Sequence, residues 1–143
     1  MLSRRQFLAA AAATAASAAA ASALDACGSP FAPGSAIQGP STVRVALPNV
    51  GQTVGVDNVG EGGQGIAVTR LATDQVVAVS RQCTHQGCTV NLPSSSGSYM
   101  VCPCHGSFFT VQGAVVQGPA SAPLRTFATA IDSANGQAVI TNA

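Results

Sequence analysis

Two short stretches constrain this chain more than anything else in it: CTHQGC at residues 83–88 and CPCHGS at residues 102–107. Together they hold four of the five cysteines and both histidines of the 143-residue sequence. The pattern is Cys83-x-His85, then 16 residues, then Cys102-x-x-His105, with Cys88 and Cys104 left over, one in each stretch. Thiolates and imidazoles paired in two short loops match a four-ligand metal site, and any fold that uses them must bring the loops together. Three chemistries compete for these residues. Tetrahedral zinc accepts two Cys and two His, but a one-residue gap is tight for it, and Cys88 and Cys104 then have no task. Two disulfides use all four cysteines in any of three pairings and leave the histidines unexplained. A mixed-ligand [2Fe–2S] cluster takes two thiolates on one iron and two imidazoles on the other.

Around these boxes the chain reads as β-structure. Residues 42–47 alternate Val43, Val45 and Leu47 with polar or small residues, as a half-buried strand does. Residues 66–71 and 76–80 form a hairpin pattern with a turn at Thr73 and Asp74. Short strands are expected at 99–102 and 107–110, and longer ones near 125–131 and 137–141. Asn135-Gly136 joins the last two, because both residues tolerate positive φ. No stretch after residue 27 shows a helical apolar stripe. The expectation is an all-β domain of about ten short strands with the cysteine segment inserted between them. A small exported domain of this kind usually needs a covalent or metal staple, and the boxes supply one.

Only 8% of residues are charged, with no lysine and no tryptophan. Beyond the N-terminal leader, Arg44, Arg70, Arg81 and Arg125 face Asp57, Glu61, Asp74 and Asp132, so the charges balance. Without a basic stripe, a nucleic-acid partner has no electrostatic support, and neither has a charged docking patch.

The leader itself is informative. Residues 1–26 carry Arg4 and Arg5, then Phe7 and Leu8, then an Ala-rich apolar stretch, the layout of an export signal. SRRQFL looks like the twin-arginine type. LDAC, ending at Cys27, resembles a bacterial lipobox, in which the cysteine is lipidated and becomes the N-terminus. A cut after Ala23 and an uncleaved membrane anchor are the alternatives. Lipidation gives the fifth cysteine a task, since two acyl chains suffice for stable anchoring. The remainder of 27–40 is rich in Pro, Gly and Ser and reads as a flexible tether. Its 13 residues 28–40 span at most about 45 Å.

CTHQGC and CPCHGS resemble the paired boxes of Rieske iron–sulfur proteins, most closely the branch of cytochrome bc complexes and exported bacterial Rieske proteins. The resemblance implies an antiparallel β sandwich or barrel-like base, domain 41–143, with an inserted cluster-binding subdomain at about 81–113. It implies that Cys83 and Cys102 bind one iron of a [2Fe–2S] cluster, that His85 and His105 bind the other, and that Cys88 and Cys104 form a disulfide clamping the loops. Gly87 and Gly106 would let the loops turn tightly. Ser107 matches a serine that hydrogen-bonds a cluster sulfide, and Gly118, Pro119 and Ala120 look like the proline loop covering the cluster. Phe109 stands where high-potential members carry a tyrosine that donates to a ligand sulfur, which implies a lower potential here; the lone Tyr99 reads as packing. Two neutral imidazoles in place of thiolates raise the potential into a window of about −150 to +300 mV. A cage disulfide implies an oxidising compartment, in agreement with the leader.

No nucleophile–base pair, substrate-pocket signature or second cofactor motif is visible. The expected function is therefore single-electron transfer by an exported, membrane-tethered protein on the outer side of the bacterial cytoplasmic membrane or in the periplasm, with a redox protein or quinol as donor and acceptor. The alternatives are the Rieske subunit of a quinol-oxidising complex, the small subunit of an arsenite-oxidase-like oxidoreductase, or a structural zinc domain. The leader and lipobox, in place of a convincing membrane helix and hinge, favour the stand-alone carrier.

Overall fold

A computed structural model describes residues 41–143. The signal segment, the tether and Cys27 lie outside the described residues. Nine strands follow in order: β1 (Thr42–Ala46), β2 (Thr53–Val56), β3 (Ile66–Ala72), β4 (Gln75–Ser80), β5 (Met100–Val101), β6 (Phe108–Phe109), β7 (Val115–Gln117), β8 (Thr126–Asp132) and β9 (Gln137–Thr141), with a single 3-10 turn at Glu61–Gly63. The domain is all-β and antiparallel, as expected. Among the described residues no helix is long and apolar enough to cross a membrane.

Six strands form one sheet in the order β1-β9-β8-β4-β3-β2, and β5-β6-β7 form a second. The large sheet turns at β8. Thr126 and Phe127 pair with β4, while Ala128 to Asp132 pair with β9. A flat sheet of six strands would hold its edges about 24 Å apart. Yet Val43 and Val45 of one edge and Val54 and Val56 of the other pack on the same core of Ile66, Val68, Ala78, Phe127, Ala138 and Ile140. The sheet is therefore curled around that core, which gives the barrel-like base.

A second core lies on the other face of the β3–β4 hairpin. Ala67 and Val79 point away from the first core and pack with Val90, Met100, Phe109, Ala120, Leu124 and the two cysteines Cys83 and Cys102. Successive residues of a strand face opposite sides, so β3 and β4 are covered on both. This accounts for the continuous apolar runs at 66–68 and 76–79, where a one-sided strand would alternate. The hairpin thus stands as a wall between base and insert, and β4 leads directly through Arg81 into the first box.

The hairpins expected at 66–80 and 125–141 are formed, as β3–β4 and β8–β9. Two strands have no individual counterpart in the sequence reading: β2 and β7, TVGV and VVQ. Both are too short and too glycine-flanked to show a period of their own, and each is made a strand by its partner, β3 and β6. β7 also carries the small sheet beyond residue 113, where the insert was expected to end.

Candidate metal centre

The two boxes are one loop design used twice. In the first, the Cys83 N–H donates to the Cys88 carbonyl at 2.8 Å and the Gly87 N–H to the Cys83 carbonyl at 2.8 Å. In the second, the Cys102 N–H donates to the Ser107 carbonyl at 2.9 Å and the Gly106 N–H to the Cys102 carbonyl at 3.1 Å. Gly87 and Gly106 occupy equivalent places with φ of 74° and 73°, a left-handed conformation open to glycine and strained for other residues. Gln82 bridges Thr89 at the mouth of the first loop, and Val101 pairs with Phe108 at the mouth of the second. Cys83 is therefore the counterpart of Cys102, at the first position of each loop. The sequence signal for this repeat, C-x-x-x-G in both boxes, is short and was not read as one.

The disulfide implied by the resemblance is formed. Cys88 and Cys104 are bonded, with Cα atoms 6.5 Å apart, and so join the two loops. Their sulfurs and that of Cys102 lie within 4.8 Å of one another, so the disulfide sits against the ligand loop, and only Cys102 of the three keeps a sulfur free to bind metal. Among the described residues Cys83 and Cys102 are the free cysteines, and both are buried. Burial pushes the Cys102 thiol up; the backbone N–H of Cys104 opposes this, the neighbouring Cys83 thiol adds to it, and the His105 N–H opposes it again. His85 and His105 meet edge to face with ring centroids 4.8 Å apart; His105 is exposed and His85 half-buried. The Nδ1 atom of His85 is buried and has no hydrogen-bond partner.

A third loop closes over the boxes. The Ala120 N–H donates to Ser107 Oγ at 3.0 Å, and Thr84 Oγ1 donates to the Ala122 carbonyl at 2.6 Å. The first bond holds box two and the second box one, so residues 118–122 span both. Gly118 and Pro119, joined by a cis peptide, are exposed at its start. Ser107 is fully buried. Because its oxygen accepts from Ala120, its own hydroxyl hydrogen is available to another acceptor. Thr84 carried no signal of its role in the sequence, since its partner is a backbone carbonyl 38 residues away. Phe109 is fully buried beside Cys83 and Cys102. Tyr99 is exposed and stands edge-on to Phe108, centroids 6.4 Å apart.

These residues fit an iron–sulfur group. A buried imidazole nitrogen without a partner is costly unless it accepts something, and a metal is what a neutral imidazole nitrogen binds. Two buried thiols offer the thiolates, since a coordinating metal deprotonates them. The sequence profile of the Rieske [2Fe-2S] domain matches residues 43–128.

The chain belongs to the Rieske family.

A Rieske domain binds a [2Fe–2S] cluster, which is thus the cofactor of this one. Among solved structures, the cyanobacterial plasma membrane Rieske protein PetC3 of Synechocystis PCC 6803 superposes with a TM-score of 0.52 at 34% identity, over 64% of this chain and 86% of that one. Among sequences, the cytochrome b6-f complex iron-sulfur subunit of Chlorobaculum thiosulfatiphilum is 39% identical over 40% of this chain and 31% of its own length. The chloroplastic subunit of Arabidopsis thaliana is 44% identical over 45% of this chain and 26% of its own. The matched part is thus less than a third of either subunit.

Proposed function

We infer that this Rieske protein is an exported, membrane-tethered one-electron carrier whose cluster is held by Cys83 and Cys102 on one iron and by His85 and His105 on the other. The observation that supports it best is the buried, unpartnered Nδ1 of His85, one ring away from His105 and in a loop locked to the second box by the Cys88–Cys104 bond. When bound, the cluster supplies a one-electron couple with a potential raised by its imidazole ligands. The protein's own residues do the rest. Cys83 and Cys102 sit in the second core, shielded from water, while His105 at the surface offers an edge to a partner. Ser107 has a hydroxyl hydrogen free to donate toward a cluster sulfide, with its oxygen fixed by Ala120. Export and tethering rest on the leader and on Cys27 as the lipid-bearing residue.

The test is a reduced-state EPR spectrum of the purified full chain, followed through a redox titration at several pH values. The mixed-ligand signature, lost in His85→Ala and in Cys83→Ser, is the expected result. Zinc by elemental analysis with no such signature overturns the reading.

A second reading is favoured by the names of the relatives, which are subunits of cytochrome b6-f complexes. In it, this chain is the Rieske subunit of a quinol-oxidising assembly. Co-purification after mild detergent extraction separates the two: a stoichiometric, stable partner supports the subunit, and its absence supports the carrier.

A further inference from the structure

From residue 82 to residue 124 the sequence contains no Asp, Glu, Lys or Arg. That interval covers both boxes, the small sheet and the third loop, so apart from its histidines the whole cluster-bearing unit is uncharged. The charges that border it are matched. Arg81 pairs with Asp57 at 2.7 Å, and Arg125 pairs with Glu61. Opposite charges this close cancel at a distance. Among the described residues the remaining charges sit at the other end of the hairpins. Ile66 pairs with Ser80 at the box end of β3–β4, whereas Arg70 and Asp74 lie toward its turn. Asp132, paired with Arg44, lies at the far end of β8 from Thr126, which pairs with Val79. At 3.3 Å per residue these groups are about 13 to 20 Å from the boxes, beyond a Debye length of about 8 Å at physiological salt.

The same unit exposes apolar side chains. Of three large hydrophobic residues exposed among the described residues, one, Val116 at 47%, belongs to the small sheet, and another, Tyr99 at 49%, directly precedes its first strand. Val101 lies opposite Phe108 in the β5–β6 pair. Strand alternation puts both, half-buried, with Tyr99 on the face away from buried Met100 and Phe109, where the exposed amides of Asn91, opposite Val101, and Gln117, opposite Phe108, border them without charge. Val101 precedes Cys102 directly, so this face is one residue from a ligand of the cluster.

We propose that the outer face of β5–β6, built by Tyr99, Val101 and Phe108 with Val116 at its β7 edge, docks a protein redox partner whose contact face is uncharged and largely apolar, and that charge does not steer the encounter. This rests on the electron-transfer reading above and adds the class of partner to it. An acidic or basic partner face would have no opposite charge to meet here, and burying its ions against this surface would carry an uncompensated desolvation cost. An apolar protein face leaves no ion unpaired in the contact and gains from covering the tyrosine ring and its apolar neighbours.

The test uses the full chain with its cluster, reduced with dithionite and mixed in a stopped-flow instrument with one of two probes: azurin, which presents an apolar patch over its copper, or cytochrome c, whose haem edge is ringed by lysines. One electron leaves the reduced protein and takes copper(II) to copper(I), or haem iron(III) to iron(II); no bond or proton changes hands. Between about 100 and about 500 mM salt, where the Debye length stays below these distances, both second-order rates are expected to change by less than about twofold. The pair Tyr99→Ser and Val116→Ser is expected to slow azurin by about tenfold with the EPR spectrum unaltered. A cytochrome c rate that falls tenfold or more with salt overturns the proposal, as does an azurin rate indifferent to the two substitutions. A dimer in sedimentation that the substitutions abolish makes the face a contact between copies and also overturns it. A reduced protein that cannot reduce even ferricyanide refutes electron transfer itself, whereas normal ferricyanide reduction with salt-sensitive protein probes refutes the docking surface alone.

Discussion

Ser107 and Phe109 are two residues apart and face the same buried space, but they act differently on the centre. Ser107 Oγ holds the Ala120 amide in a fully buried place. Ser107→Ala leaves that N–H without an acceptor, and the expected loss of stability is about 1–3 kcal/mol, measured by chemical denaturation. If, as proposed, its hydroxyl donates to a cluster sulfide, the potential should fall as well; a variant that loses stability with its potential unmoved would restrict Ser107 to holding the loop. Phe109 packs with the two buried cysteines and has no donor. Phe109→Tyr supplies one, and a donor to a ligand sulfur favours the reduced, more negative state. The expected result in potentiometry is an upward shift, and an unshifted potential rules out tuning at this position.

Among the elements, the twin box loops and the β8–β9 hairpin carry the clearest local determinants. A Cβ added at Gly106 meets nothing within 4 Å, so Gly106→Ala is opposed by its φ of 73° alone. The expected cost is about 1–2 kcal/mol, read from the shift in the denaturation midpoint. In the β8–β9 turn, Asp132 Oδ1 accepts from the Asn135 N–H at 3.2 Å and Oδ2 accepts from Asn135 Nδ2 at 2.9 Å. The Asn135 side chain is the main reason the Asp132 carboxyl titrates below the ordinary carboxylate range, with the Asn135 and Ala134 backbone and Arg44 assisting. A carboxylate with a depressed folded value contributes its stability above the unfolded pKa, about 3.9 for Asp, and loses it as pH falls through the lower folded value. In Asn135→Ala, an NMR titration of Asp132 should therefore move up toward the ordinary value; no movement would assign the depression to Arg44 and the backbone instead.

For the molecule as a whole, the disulfide decides how firmly two halves of the site stay together. The small sheet holds box two to the wall of β3–β4 through Met100 and Phe109, whereas box one continues β4. Cys88–Cys104 closes a loop with a sequence separation of 16. Closing a loop of that size reduces the freedom of the unfolded chain by an amount worth about 3 kcal/mol. The double variant Cys88→Ser, Cys104→Ser is thus expected to unfold at lower denaturant and to lose its visible absorbance faster on warming. Equal stability with and without the bond would mean that the three loops are held by Ser107, Thr84 and the core alone.

What the sequence by itself determined is the chemistry of the donors. Two Cys and two His in two six-residue boxes, a second cysteine in each, and a Phe without a hydroxyl are properties of single side chains, legible wherever the chain places them. The hairpins at 66–80 and 126–141 were legible for a related reason: their pairing is local and their turns carry Thr73-Asp74 and Asn135-Gly136. The tertiary structure alone decided the rest. TVGV and VVQ become strands only beside β3 and β6, the sheet curls because β8 serves two partners, and Thr84 reaches Ala122 across 38 positions. Such contacts join residues far apart in the chain, where no period or spacing marks them, and their free energy exists only once the base, the wall and the insert have come together.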